Sequence, residues 1–274
     1  MLENKKLFLL DIDGTICKGN QLVEGSAAFL KDIKANGGQF VFITNNATKS
    51  IDDYIRFFQV LGIHTDYTNF LTASYVTIDY LKKNHAGELI YVLGTRSFIR
   101  ELKKNKIHVT SDCEDEGITC VVVSYDNQLT YEKLSDTCKL LSTKNVDYLA
   151  KNVDYLATNP DYVCPIEFGF VPDCGSICEM LAHAVKRMPY FIGKPQPEMV
   201  ELALQRNHYR KEETLIVGDR LYTDILCGYH AGVETVLVLS GEATKEEAKA
   251  YEHQPDYVMS SVDELHEAWS KSIS

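Results

Sequence analysis

The sequence predicts an α/β protein: a Rossmann-like, doubly wound parallel sheet with a second, smaller α/β domain inserted into it. Three observations predict this. Short β-rich apolar runs recur along the 274 residues, the stretches between them carry apolar residues at helical spacing, and residues 79–188 hold strand–helix patterns of their own.

The apolar runs Lys6–Leu10, Gln39–Ile43, Leu89–Leu93, Thr119–Val123, Tyr190–Ile192, Thr214–Val217, Thr235–Leu239 and Tyr257–Met259 read as strands. Most are apolar without alternation, the mark of strands covered on both faces, as in a parallel sheet. Ser26–Ala35, Ile51–Leu61, Pro197–Arg206 and Thr223–Ala231 read as the covering helices. The expected organisation is a core formed by 1–78 with 189–274, and a lid formed by 79–188. A seven-residue tandem copy, KNVDYLA at 144–150 and again at 151–157, falls inside the lid. A single perfect copy does not make a repeat architecture, which needs at least three units.

Composition narrows the function. With 28 Lys and Arg against 39 Asp and Glu, the net charge of −11 repels nucleic acid and anionic lipid. No run approaches the roughly 20 apolar residues that span a bilayer, and acidic residues break the apolar start of MLENKKLFLLDIDG, so the expected location is the cytoplasm. The eight cysteines form no CxxC pair and read as buried thiols; Cys17, six residues after Asp11, is one of them. No HExxH occurs, which argues against zinc. Nothing in the sequence signals an oligomeric state.

In a doubly wound sheet, ligands bind beyond the carboxyl ends of the strands. Those ends are Asp11-Ile12-Asp13-Gly14-Thr15, then Thr44-Asn45-Asn46, Gly193-Lys194-Pro195, and Gly218-Asp219-Arg220 with Asp224 following. Asp11 and Asp13, two apart at the end of a strand, point to one side. Carboxylates that close repel unless a cation or shared proton lies between them. Mg2+, a hard ion that prefers oxygen ligands, is the natural occupant, with Asp219 as a further ligand. Mg2+ beside Lys194 makes a site for a phosphate group, whose oxygens Thr44 and the N–H groups after it would hold. No GxSxG elbow is present, and Met188 stands where a P-loop ending in Gly193-Lys194 needs its first glycine.

These residues resemble the four motifs of the haloacid dehalogenase superfamily, in order: DIDGT at 11–15, Thr44, Lys194, and Gly218-Asp219 with Asp224. The spellings TNN, GKP and GDRLYTDI, the large insertion, ATNPDYVC at 157–164 and FVPDCGSIC at 170–178 are similar to the NagD or 4-nitrophenylphosphatase-type branch. The resemblance implies a Mg2+-dependent phosphomonoesterase acting on a small phosphorylated metabolite. It implies Asp11 as nucleophile, Asp13 as general acid and base that also binds the metal through its backbone carbonyl, and Asp11 and Asp219 as carboxylate ligands. Asp224 would steady Lys194 or the metal's waters, and Thr44, Asn45 and Asn46 would bind phosphate together with Lys194.

Two other readings of the same residues are a phosphate-ligand binding protein that has lost catalysis, and a phosphoryl transferase of the mutase kind. The presence of every required carboxylate and of the lysine argues against the first; the second needs a lid that excludes water. Selection among substrates would fall to the lid, with Arg96, Thr158, Asn159 and Asp161 as candidates.

Overall fold

The structure, a computed structural model, describes residues 2–46, 50–143, 153–166 and 168–273. The chain forms two compact units, one of Met1–Thr44, Lys49–Thr72 and Lys194–Ser274, the other of Asn45–Thr48 and Ala73–Gly193.

The first unit is built on a six-stranded parallel sheet. Its order is Tyr257–Met259, Glu234–Val238, Thr214–Gly218, Leu7–Leu10, Gln39–Thr44 and Phe70–Thr72. Leu7–Leu10 is the first of these strands in sequence and lies near the middle. The chain runs outward from it on one side through Gln39–Thr44 and on the other through Thr214–Gly218. The strand order therefore reverses beside Leu7–Leu10, and its carboxyl end is the place where a doubly wound sheet opens a crevice.

Helices cover both faces. Phe8 meets Phe29 of helix Ser26–Ala35 and Trp269 of helix Val262–Ile273 edge to face, with ring centroids 5.3 and 5.2 Å apart. On the same face, Phe42 stacks on Phe58 of helix Ile51–Val60 at 4.3 Å. Ser50 starts that helix by a capping box with Asp53. On the opposite face, Gly228 of helix Leu226–Ala231 lies so close to Ile216 that a Cβ there would stand 2.5 Å from its Cγ2. The register pairs Ile216 with Leu9, whose side chain points away from Phe8.

The second unit carries its own five-stranded parallel sheet, ordered Tyr190–Phe191, Asp154–Ala157, Ile118–Val123, Leu89–Leu93 and His108–Thr110. Helices Tyr131–Thr143 and Cys174–Val185 pack on a core that includes Leu93, Val121, Val123, Leu141, Tyr155 and Leu181. An antiparallel hairpin, Val163–Ile166 with Gly169–Pro172, precedes the second of these helices.

Two differences from the sequence reading have physical causes. The boundaries of the inserted unit fall at 73 and 193 instead of 79 and 188. Helix Ala73–Asn84 is one continuous element. At the other border Tyr190–Phe191 pairs with Asp154–Ala157, so it is an edge strand of the insert's sheet and contributes no strand to the core. The core strand Phe70–Thr72, only three residues long, has no counterpart in the sequence reading. Most of the tandem copy, residues 144–152, lies outside the described residues; the end of its second copy forms the buried strand Asp154–Ala157.

Candidate active site

Three core strands deliver acidic or hydroxyl groups to one end of the sheet. Leu7–Leu10 is followed by Asp11, Gln39–Thr44 ends on Thr44, and Thr214–Gly218 is followed by Asp219. Lys194 comes from the segment after the insert's edge strand, not from a core strand end as the sequence suggested. Its ammonium nevertheless reaches the same place. Nζ donates to Asp11 Oδ1 at 2.7 Å, to Asp224 Oδ1 at 2.6 Å and to the Ile43 carbonyl at 3.1 Å. Each of the three ammonium protons thus has an acceptor. Lys194 is only 2% exposed, and Asp11, Asp219 and Asp224 are buried with it.

Asp11, Asp219 and Asp224 offer carboxylate oxygens that all lie within 4.8 Å of one another. Asp224 sits in a single π-type turn, Leu221–Ile225, leading into helix Leu226–Ala231, and its Oδ2 accepts from the Arg220 backbone N–H at 3.1 Å. Both of its oxygens are therefore engaged. Asp219 is held by the loop after strand Glu234–Val238, where the Glu242 N–H donates to Oδ2 at 2.7 Å. That approach requires glycine on two sides. A Cβ on Gly241 would stand 1.9 Å from Asp219 Oδ2, and one on Gly14, whose φ is +91°, would stand 2.3 Å away. The Ser240 hydroxyl donates to the Gly14 carbonyl at 2.7 Å and ties the two glycine loops together.

Three carboxylates against one ammonium leave an excess negative charge in a buried place, and the titration behaviour follows. Burial, reinforced by Asp224, pushes Asp219 up to about 7. Burial likewise raises Asp11, with Lys194 pulling the other way. Burial opposes the charge on Lys194, but Asp11 and Asp224 outweigh it and hold the ammonium above the ordinary lysine range. The excess charge calls for a proton or a cation. Asp219 Oδ1 is buried without a hydrogen-bond partner, and the donor set is oxygen only. The residues therefore fit a hard divalent cation such as Mg2+.

Asp13 is half-buried two residues after Asp11, in a bridge with Cys17. Asn45 is buried and Asn46 half-buried; both belong to the second compact unit, where a Cβ on Gly193 would stand 2.5 Å from Asn45 Oδ1. Arg96 is exposed at the start of helix Arg96–Lys104.

Thr158, Asn159 and Asp161 are buried in the insert's own network. Thr158 Oγ1 donates to Ser124 Oγ at 3.2 Å, Asn159 Nδ2 to Asp161 Oδ2 at 3.0 Å, and the Gly175 N–H to the Asp161 carbonyl at 2.8 Å. They fasten strand end to helix. The Ser240-Gly241-Glu242 loop escaped the sequence reading, although it follows another core strand and inspection of that strand's end would have found it.

This fold and site define a class, and comparison with known proteins agrees. Residues 8–108 match the family model described as haloacid dehalogenase-like hydrolase, and 191–265 match one described as HAD-hydrolase-like. The chain belongs to the haloacid dehalogenase-like hydrolases. Within them it stands with enzymes that cleave phosphomonoesters. It is 32% identical to the ribonucleotide monophosphatase NagD of Escherichia coli, covering 95% of this chain and 98% of that one. It is 30% identical to the acid sugar phosphatase of Staphylococcus saprophyticus, covering 96% and 98%. The crystal structure of 4-nitrophenylphosphatase from Thermotoga maritima superposes with a TM-score of 0.88 at 34% identity, covering 98% of each chain. That of glycerol phosphate phosphatase from Mycobacterium tuberculosis in complex with magnesium gives 0.85 at 26%, covering 97% of this chain and 78% of that one.

Proposed function

We propose that this chain is a Mg2+-dependent phosphomonoesterase that hydrolyses a small phosphorylated metabolite, such as a nucleotide or sugar phosphate, through an aspartyl-phosphate on Asp11. The observation that carries the reading is the buried set of Asp11, Asp219 and Asp224 around the Lys194 ammonium. The named activities of NagD and of acid sugar phosphatase support the substrate class.

In this mechanism an Asp11 carboxylate oxygen attacks phosphorus in line with the leaving oxygen, forming the acyl phosphate as the ester bond breaks. Asp13 gives its proton to the leaving alcohol. Its carboxylate then takes a proton from the water that attacks the phosphoenzyme, releasing phosphate and restoring Asp11. Lys194 keeps Asp11 ionised and fixed in direction, and Asp224 fixes Lys194. The Thr44 hydroxyl donates to a phosphoryl oxygen. The carboxylates of Asp11 and Asp219 and the backbone carbonyl of Asp13 would hold Mg2+, which would supply positive charge against these carboxylates and the charge developing on the phosphoryl group.

The test is release of phosphate from 4-nitrophenyl phosphate and from a panel of nucleoside monophosphates and sugar phosphates, with and without Mg2+. The expected result is turnover that requires Mg2+ and is abolished in Asp11→Asn while the circular dichroism spectrum is kept. Retained turnover in that variant rejects the mechanism, and no turnover on any ester rejects the activity.

A further inference from the structure

A second concentration of charge lies in the inserted unit and shares no residue with the acidic cluster. The last turns of helices Ala73–Asn84 and Arg96–Lys104, with the bends that follow them, wall a cavity of about 510 Å³. Lys82, Lys104, Lys106, His85 and His108 line it, and no carboxylate among the described residues does. In a chain of net charge −11, three lysines and two histidines around one hollow run against the overall balance.

Basic residues near a helix carboxyl end have an ordinary role, compensating the dipole, and the magnitudes decide whether that is enough. Each helix end carries about −0.5 of a charge, so two ends bring about −1. Three ammonium groups exceed what the two helix ends supply; Glu101 near Lys104 and Glu88 and Asp154 beside His85 add negative charge outside the lining, so the positive charge is confined to the lining itself. Glu88 and Asp154, 3.0 and 4.0 Å from His85 Nδ1, are not among the lining residues. The wall is also braced. Lys82 Nζ donates to Asn105 Oδ1 at 3.0 Å, and Asn105 Nδ2 donates to the Glu101 carbonyl at 3.1 Å, so the two helix ends are tied across the site.

We propose that this cavity binds a small organic phosphate carrying two or more negative charges, as a site separate in composition from the acidic cluster. Lysine ammonium groups act on phosphate as point charges that need no fixed fork geometry, which suits three flexible side chains converging from two helix ends. The volume exceeds what inorganic phosphate needs and falls within the range of roughly 300–1,000 Å³ typical of pockets for small ligands. Ala86 and Ile107 offer apolar wall for the rest of such a molecule.

The experiment is calorimetric titration of the full chain, in EDTA, with adenosine 5′-(α,β-methylene)diphosphate, which has no phosphomonoester to cleave. Three proteins are compared: the parent, Lys82→Gln/Lys104→Gln/Lys106→Gln, and a control lacking three exposed lysines elsewhere, Lys18→Gln/Lys31→Gln/Lys245→Gln. The proposal expects saturable binding to the parent, weakened at least tenfold in the first variant, less than twofold in the control, and unchanged hydrolysis of 4-nitrophenyl phosphate by both variants. Equal binding by all three proteins, equal weakening in both variants, or no binding to the parent would overturn it. Citrate binding as tightly as the diphosphate would overturn the preference for phosphate.

Discussion

Lys194 Nζ stands 2.7 Å from Asp11 Oδ1 although 182 residues separate them in the chain, and the same ammonium bonds Asp224 at 2.6 Å. A lysine only 2% exposed survives as a cation there because two carboxylates face it. Removing it leaves those carboxylates buried and uncompensated. Lys194→Met is expected to lower stability by about 3–5 kcal/mol, the usual consequence of breaking a buried ion pair from one side. Urea denaturation measures this. Adding Asp11→Asn to that variant should recover part of the loss, and an unchanged or deeper loss would show that the pair does not control stability.

Gly241 and Asp219 make the second sharp contact. Gly241→Ala would place a methyl 1.9 Å from Asp219 Oδ2, so the loop or the carboxylate must move. If Asp219 holds Mg2+, the variant should need about 10–100-fold more Mg2+ for half-maximal phosphatase activity, the scale seen when groups supporting a ligand are disturbed. A Mg2+ requirement equal to the parent's would remove Asp219, or this loop, from the metal site.

The titration of Asp219 sets a pH dependence. Without a divalent cation its carboxyl stays protonated up to about 7 in the fold, against 3.8 ordinarily. The folded chain then binds a proton that the unfolded chain has released, so the metal-free protein loses stability as pH rises from about 4 towards 7. Mg2+ takes the proton's place. Its stabilising effect, read as the rise in Tm on adding Mg2+, should therefore be larger at pH 8 than at pH 5.5, and apparent Mg2+ affinity should fall by up to about tenfold per pH unit below 7. Equal Tm shifts at both pH values would contradict this.

Far from the carboxylates, Phe8, Phe29 and Trp269 form a three-ring cluster that fastens the first and last core helices to the central strand. Trp269 is 2% exposed, and Trp269→Ala should destabilise the fold by about 3–5 kcal/mol, as large-to-small changes in a core do. Chemical denaturation would show it. A loss below about 1 kcal/mol would mean that the cluster contributes little beyond surface burial.

All eight apolar runs taken as strands are strands, because a continuous run of Leu, Ile, Val and Phe between turn residues has few other ways to bury itself on two faces. Asp11, Asp219 and Lys194 could likewise be picked out from the residues that follow such runs. Sheet membership could not. Tyr190–Phe191 reads like a core strand from its residues, yet its partner is Asp154–Ala157 in the insert, and pairing between distant segments leaves no local mark. Asn159 and Asp161 illustrate the converse. Their composition suggests an exposed turn, whereas they are buried against each other and the start of helix Cys174–Val185.

Local residue order was enough to show the alternation of strands and helices, the insertion, and which acids and which lysine follow the apolar runs. Folding in three dimensions brings Asp224 Oδ1 onto Lys194, seats the Ser240–Glu242 loop on Asp219 and gathers Lys82, Lys104 and Lys106 around one hollow. Each of these depends on distances between residues far apart in the chain, fixed when the buried apolar surfaces close on one another.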